Sequence, residues 1–80
     1  MITANVLFFG ATADVVGMRR LRLEIAADQA AQLVFDRLLT EHPALSKHRL
    51  LFSINRQYAD GDEVVKDGDE LAVFTAVSGG

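Results

Sequence analysis

The chain has 80 residues, half of them hydrophobic, with no cysteine and a net charge of −3. That leaves room for one small domain whose apolar core must hold it unaided, since neither a disulfide nor a thiolate metal site can be built. The acidic balance argues against general nucleic-acid binding. No apolar run approaches the roughly 20 residues of a membrane span, and no basic-then-apolar leader precedes Asn5, so a soluble cytoplasmic protein is expected.

Residues 3–9 predict a first strand, with Val6-Leu7-Phe8-Phe9 continuously apolar as in a strand covered on both faces. Residues 10–18 form a connection with a short helical turn around 12–16 and a glycine at Gly17. Residues 19–25 alternate, Leu21, Leu23 and Ile25 on one side and Arg20, Arg22 and Glu24 on the other. That pattern predicts a half-buried strand antiparallel to the first, its arginines on the solvated face. Asp28 is the expected N-cap of a helix running to about Glu41, with Ala31, Val34, Phe35, Leu38 and Leu39 as a single apolar stripe. Pro43 ends that helix by disfavouring helical geometry at His42. Residues 49–54 predict a third strand, and 55–58 a turn with a short strand after it. Two Asp-Gly turns follow, at Asp60-Gly61 and Asp67-Gly68, before a last strand over 71–76.

One amphipathic helix covers one face of a four-stranded sheet in this order of elements, which gives an α+β fold with one main helix on a mixed sheet. Two hairpin-like halves joined by the helix, with first and last strands side by side at the centre, make a β-grasp (ubiquitin-like) roll. It is one of several topologies the pattern allows. The domain is expected to span residues 1–74, with 75–80 as an extended tail. Parity adds a second expectation. If Leu71, Val73, Val6 and Phe8 face the helix, then Leu7, Phe9, Ala72 and Phe74 share the uncovered face as an apolar patch, the kind of feature that marks a protein interface.

The chain closes on Gly79-Gly80, directly after a core strand. On the dipeptide alone this is equally an ordinary chain end. Without Cβ atoms, however, these residues fit a gap closed to side chains, and from Thr75 onward an extended tail reaches roughly 20 Å. Other chemistry is sparse. His42 and His48 lack partners at zinc spacing and read as surface residues; no catalytic triad or phosphate-binding glycine pattern is present, and Asp60-Gly61-Asp62-Glu63 does not fit an EF-hand loop. No metal site is expected. The carboxylates gathered over 60–70 suggest a basic protein partner. Any reactive group is the main-chain carboxylate of Gly80, with Ser78 a small tail residue.

Gly68-Asp69-Glu70-Leu71-Ala72-Val73-Phe74 followed by Val77-Ser78-Gly79-Gly80 resembles the C-terminal signature of the molybdopterin synthase small-subunit family. Val6-Leu7-Phe8-Phe9-Gly10, His42-Pro43-Ala44-Leu45, and Asn55 with Tyr58 resemble its earlier segments, so the likeness spans essentially the whole chain. One departure is plain: Thr75-Ala76 stands where the family usually has two prolines, which leaves the tail's exit more flexible. The resemblance implies a sulfur carrier. An E1-like enzyme uses ATP to adenylate the Gly80 carboxylate, and a sulfur donor protein converts it to a thiocarboxylate. The tail then enters the large synthase subunit, usually within a heterotetramer, where sulfur passes to cyclic pyranopterin monophosphate. It further implies that no cofactor is bound and that catalytic side chains reside on the large subunit, this chain being a non-catalytic carrier. Gly79 is needed for the narrow channel, and Phe74 helps anchor the interface. The expected partner-binding set is Phe74, Val77, Ser78, Tyr58, Leu7, Phe9 and Ala72. Carriers serving thiamine thiazole synthesis or tRNA thiolation, a ubiquitin-like modifier, and a binding module with an inert tail are the alternatives.

Overall fold

The computed structural model describes residues 1–75. Its elements are β1 (Ile2–Phe8), α1 (Ala11–Val16), β2 (Arg20–Ile25), α2 (Ala31–Glu41), a 3-10 turn (Pro43–Lys47), β3 (Leu50–Ile54), β4 (Gln57–Tyr58) and β5 (Glu70–Thr75). The strands form one sheet in the order β2-β1-β5-β3-β4, with β1 and β5 parallel at its centre and the other neighbours antiparallel. This is the expected β-grasp roll, with five strands rather than four. The extra strand is only two residues long. It exists because Asn55 and Arg56 both take left-handed conformations (φ 49° and 70°) and turn the chain back on β3 within two residues.

Register fixes the faces. Val6 pairs with Leu71 and Phe8 with Val73, and all four are buried with α2's stripe of Ala31, Val34, Phe35 and Leu38. Leu39 packs at the margin of this core. Phe35 stacks on Phe52 with ring centroids 4.1 Å apart. Leu45 in the 3-10 turn and Val65 between the two Asp-Gly turns are also fully buried, closing the ends of the layer.

Asp28 does not cap α2. The helix starts at Ala31 with Ala30 as N-cap and no side-chain cap bond, while Asp28 sits two residues upstream at φ 63°, its carboxylate 3.7 Å from Lys66. The first helical amides donate instead to distant main-chain carbonyls: Ala31 to Glu63 at 2.7 Å and Gln32 to Gly61 at 3.0 Å. A neighbouring loop thus satisfies the donors that a helix start leaves open. His42, expected at the surface, is half-buried with its ring edge-on to Phe8 at 6.4 Å.

Half of the six carboxylates in the acidic stretch accept main-chain amides. Glu63 accepts from the amides of Asp60 and Gly61, both at 2.8 Å. Asp67 accepts from the Thr3 amide at 2.8 Å, and Asp69 from the Lys66 amide at 2.7 Å. Asp-Gly sequences serve here because each glycine takes a positive φ, 106° at Gly61 and 85° at Gly68, that other residues adopt only under strain. Gly61 has a second reason, since a Cβ there would stand 2.8 Å from the Gln32 side-chain oxygen. The amide hydrogen bonds, from Asp60 first, then Glu63's own and Gly61, hold the Glu63 carboxyl below its ordinary pKa.

Candidate docking site on the open face

The side of the sheet away from α2 gathers the four residues that parity assigned to it. Leu7 lies opposite Ala72 across the parallel β1–β5 pair. Phe9, just past the end of β1, is 51% exposed, and Phe74 is half-buried. Together with Ser53, Arg56 and Glu70 they line a shallow groove of about 460 Å³. Tyr58, 72% exposed, approaches Phe74 with ring centroids 6.1 Å apart and a tilt of 39°. Leu51 lies directly opposite Phe74, and Ser53 opposite both Ala72 and Tyr58. Five of the sequence-assigned partner-binding residues therefore converge on one surface. Val77 and Ser78, the rest of that set, and the assigned reacting end Gly79-Gly80 lie outside the described residues.

Leu51, Ser53 and Arg56 belong to this surface and were missed by sequence reasoning. Their membership depends on β3 lying beside β5, a long-range pairing that no local pattern in 49–56 announces. The alternation of Leu51, Phe52, Ser53 and Ile54 carries the parity, and the neighbour supplies the meaning.

Two polar devices set the ends of β5. Asn55 holds its start: its amide donates to the Glu70 carbonyl at 2.7 Å, its Oδ1 accepts from the Glu70 amide at 3.0 Å, and its Nδ2 donates to Asp69 at 3.1 Å. Thr12 holds the other end and was also missed. Fully buried, its Oγ1 lies 2.7 Å from the Phe9 carbonyl and 2.8 Å from the Val73 carbonyl, between which its one proton is shared. The same oxygen accepts from the Phe9 amide at 3.0 Å. A buried hydroxyl with its bonding capacity used on two strands fixes the place where β1 turns away and β5 runs on. The chain leaves Val73 and Phe74 from a rigid footing, and Thr75 still pairs with Leu50.

An exposed apolar groove beside two aromatic rings, on strands locked from behind by a packed core, offers a partner rigid anchors at small entropic cost. Among the described residues it contains no nucleophile–base pair. What it can do chemically is bind and orient, and the end of β5 is the element it would orient.

Comparison with known proteins agrees with this geometry. The profile of the ThiS family matches residues 6–80. The molybdopterin synthase sulfur carrier subunit of Haemophilus influenzae is 38% identical over 81 residues, covering 95% of this chain and 98% of that protein. The protein of the same name from Homo sapiens is 30% identical over 81 residues, covering 95% of this chain and 92% of that one. Among solved structures, SAMP1 of Haloferax volcanii (small archaeal modifier protein 1) matches with a TM-score of 0.83 at 31% identity, over 98% of this chain and 99% of that one. A β-grasp roll with a parallel β1–β5 centre and an apolar open face, matched along nearly its whole length, belongs to the ThiS family.

Proposed function

We propose that the chain is the sulfur carrier subunit of molybdopterin synthase. The observation that carries this reading is that relatives bearing that name match 95% of the chain at 30% and 38% identity. The open-face groove beside β5 supports it, because a carrier must dock reversibly while presenting its tail to the chemistry of others. Gly80 is the reacting residue and Gly79 its companion in the partner's channel. A carboxylate is a poor acyl donor. An E1-like enzyme supplies a leaving group by adenylating it with ATP, and pyrophosphate departs. Sulfide-level sulfur delivered by a donor protein then attacks the acyl carbon and displaces AMP, which leaves the thiocarboxylate. Within the large synthase subunit, sulfur passes to cyclic pyranopterin monophosphate, and catalytic side chains come from that subunit. ATP is thus a co-substrate of the activating enzyme, the carrier itself holds no cofactor, and the cytoplasm is the working compartment.

Leu7, Phe9, Ala72, Phe74 and Tyr58 form the docking surface in this scheme, and Val77 and Ser78 enter the partner with the tail. The experiment is reconstitution: chain, E1-like enzyme, ATP and sulfur source, then large subunit and cyclic pyranopterin monophosphate, with molybdopterin as readout. Formation that depends on every component supports the reading; no product with a large subunit active on another carrier overturns it.

The likeness to a small archaeal modifier protein favours a second reading, in which the same carboxylate forms isopeptide bonds to lysines. Its sign is target proteins carrying this chain on a denaturing gel.

A further inference from the structure

The charges of this molecule are unevenly placed. Half of its eight Lys and Arg side chains, Arg19, Arg20, Arg22 and Arg56, lie on the open face or its rim, with four of its eleven carboxylates, Asp14, Glu24, Asp67 and Glu70. Elsewhere Arg37, Lys47, Arg49 and Lys66 are outnumbered by the remaining carboxylates. The face that carries the apolar groove is therefore close to neutral, and the chain's net negative charge lies elsewhere.

The arginines bracket the groove. Arg20 lies opposite Leu7 and Arg22 opposite Asn5 across the β1–β2 pair, which puts both on the groove's side of the sheet. Arg19 and Arg20 line an adjoining hollow of about 480 Å³ that shares Leu7 and Phe9 with the groove. Arg56 lines the groove from the opposite flank. All four are exposed, and among the described residues none forms an ion pair, whereas Arg37 and Lys66 do. Arg56 sits at φ 70° as the second residue of the tight turn between β3 and β4.

We infer that the open face recognises a partner protein whose apolar side chain fills the Leu7–Ala72–Phe74 groove and whose carboxylates face Arg20 and Arg56 on either side. This rests on the docking role proposed above and adds the chemistry of the surface that docks. Guanidinium groups suit it because they bind carboxylates through two parallel hydrogen bonds and keep their charge at any physiological pH. Charge at the rim of an apolar contact acts mainly on encounter rate and on the choice of partner.

The test is association of the chain with the large synthase subunit of its own organism, followed by stopped-flow fluorescence at low and high salt. Arg20→Glu/Arg56→Glu is expected to raise Kd about tenfold or more, mostly through slower association, and to flatten the salt dependence seen with the unaltered chain. Lys47→Glu, away from the face, is expected to leave both unchanged. Because the arginines are exposed, melting temperatures should agree among all three, and Arg20→Gln/Arg56→Gln gives an intermediate Kd. Charge-reversal variants that bind like the unaltered chain with the same salt dependence, while Phe74→Ala still weakens binding, would overturn the acidic partner and leave the docking groove standing. Tighter binding after reversal would overturn it by showing a basic partner. No effect from Phe74→Ala either would remove the docking surface itself, and the inference with it.

Discussion

Along β5, Leu71 and Val73 are shut from solvent beneath α2, while Phe74, the next residue, keeps part of its ring uncovered. β1 repeats the contrast, with Val6 and Phe8 buried and Leu7 and Phe9 on the other side. On the covered face every large side chain has a partner within the molecule, such as Phe35 on Phe52. On the open face, among the described residues, Leu7, Phe9, Ala72 and Phe74 line one shallow groove with Ser53, Arg56 and Glu70, and further arginines stand at the edges. The same strands thus carry two kinds of hydrophobic residue. One kind is retained because the fold requires it. The other adds little to the fold, and its cost in exposed apolar surface calls for a partner.

That division can be broken by substitution, and the covered face should respond most. Phe35→Ala removes a fully buried ring and leaves a cavity, so it should cost about 3–5 kcal/mol. In a domain of this size that is a large share of the stability, and thermal unfolding should show a poorly folded chain at 37 °C. A near-normal melting curve would mean the core is not where these strands place it. Thr12→Val keeps the volume but removes the hydroxyl's bonds to the Phe9 and Val73 carbonyls, which keep the Thr12 and Phe9 amides as donors, a loss of about 0.5–1.5 kcal/mol in denaturant titration. Since this contact sets the footing of β5, partner association should weaken as well, and a variant unaffected in both would make the hydroxyl incidental.

Phe74→Ala should sit on the far side of the contrast. The ring is half-buried, so removing it costs about 1 kcal/mol of stability by area, whereas binding to the large subunit should fall by tenfold or more. Equal losses in both assays would assign Phe74 to the core instead. The smallest effect is expected at Glu63. Its pKa is held down in the folded protein by the amides of Asp60, of Glu63 itself and of Gly61. A depressed carboxylate contributes stability above its unfolded pKa and loses it as pH falls through the folded one. The melting-temperature gap between the unaltered chain and Glu63→Gln should therefore be present at neutral pH and close on acidification. A gap independent of pH would mean the carboxylate's charge is not what holds that loop.

Much of this contrast could be read before the structure. The clean alternation in β2 and the apolar stripe of α2 depend on period alone, and parity then placed Leu7, Phe9, Ala72 and Phe74 together without any distance being known. What escaped was set by contacts far apart in the chain. Asp28 carries a strong local capping signal, yet the carbonyls of Gly61 and Glu63 reach the start of α2 instead. Thr12 reads as an ordinary residue of a short helix, and only its distance to Val73, 61 residues on, shows what its hydroxyl does. Arg56 follows a turn-forming Asn55 and gives no sign of the groove it borders until β3 is placed beside β5. Among the acidic residues of 60–70, Glu63, Asp67 and Asp69 accept main-chain amides, a use that composition alone does not announce.

The central claim is that the tail's carboxylate, and no side chain, is the reactive group. The measurement that reaches it most directly is the intact mass of the protein after incubation with its own E1-like enzyme, ATP and a sulfur source. The account predicts a gain equal to exchange of one oxygen for sulfur, confined on digestion to the peptide that contains Gly79 and Gly80. An unchanged mass, with the activating enzyme shown to be competent on another carrier, would contradict it.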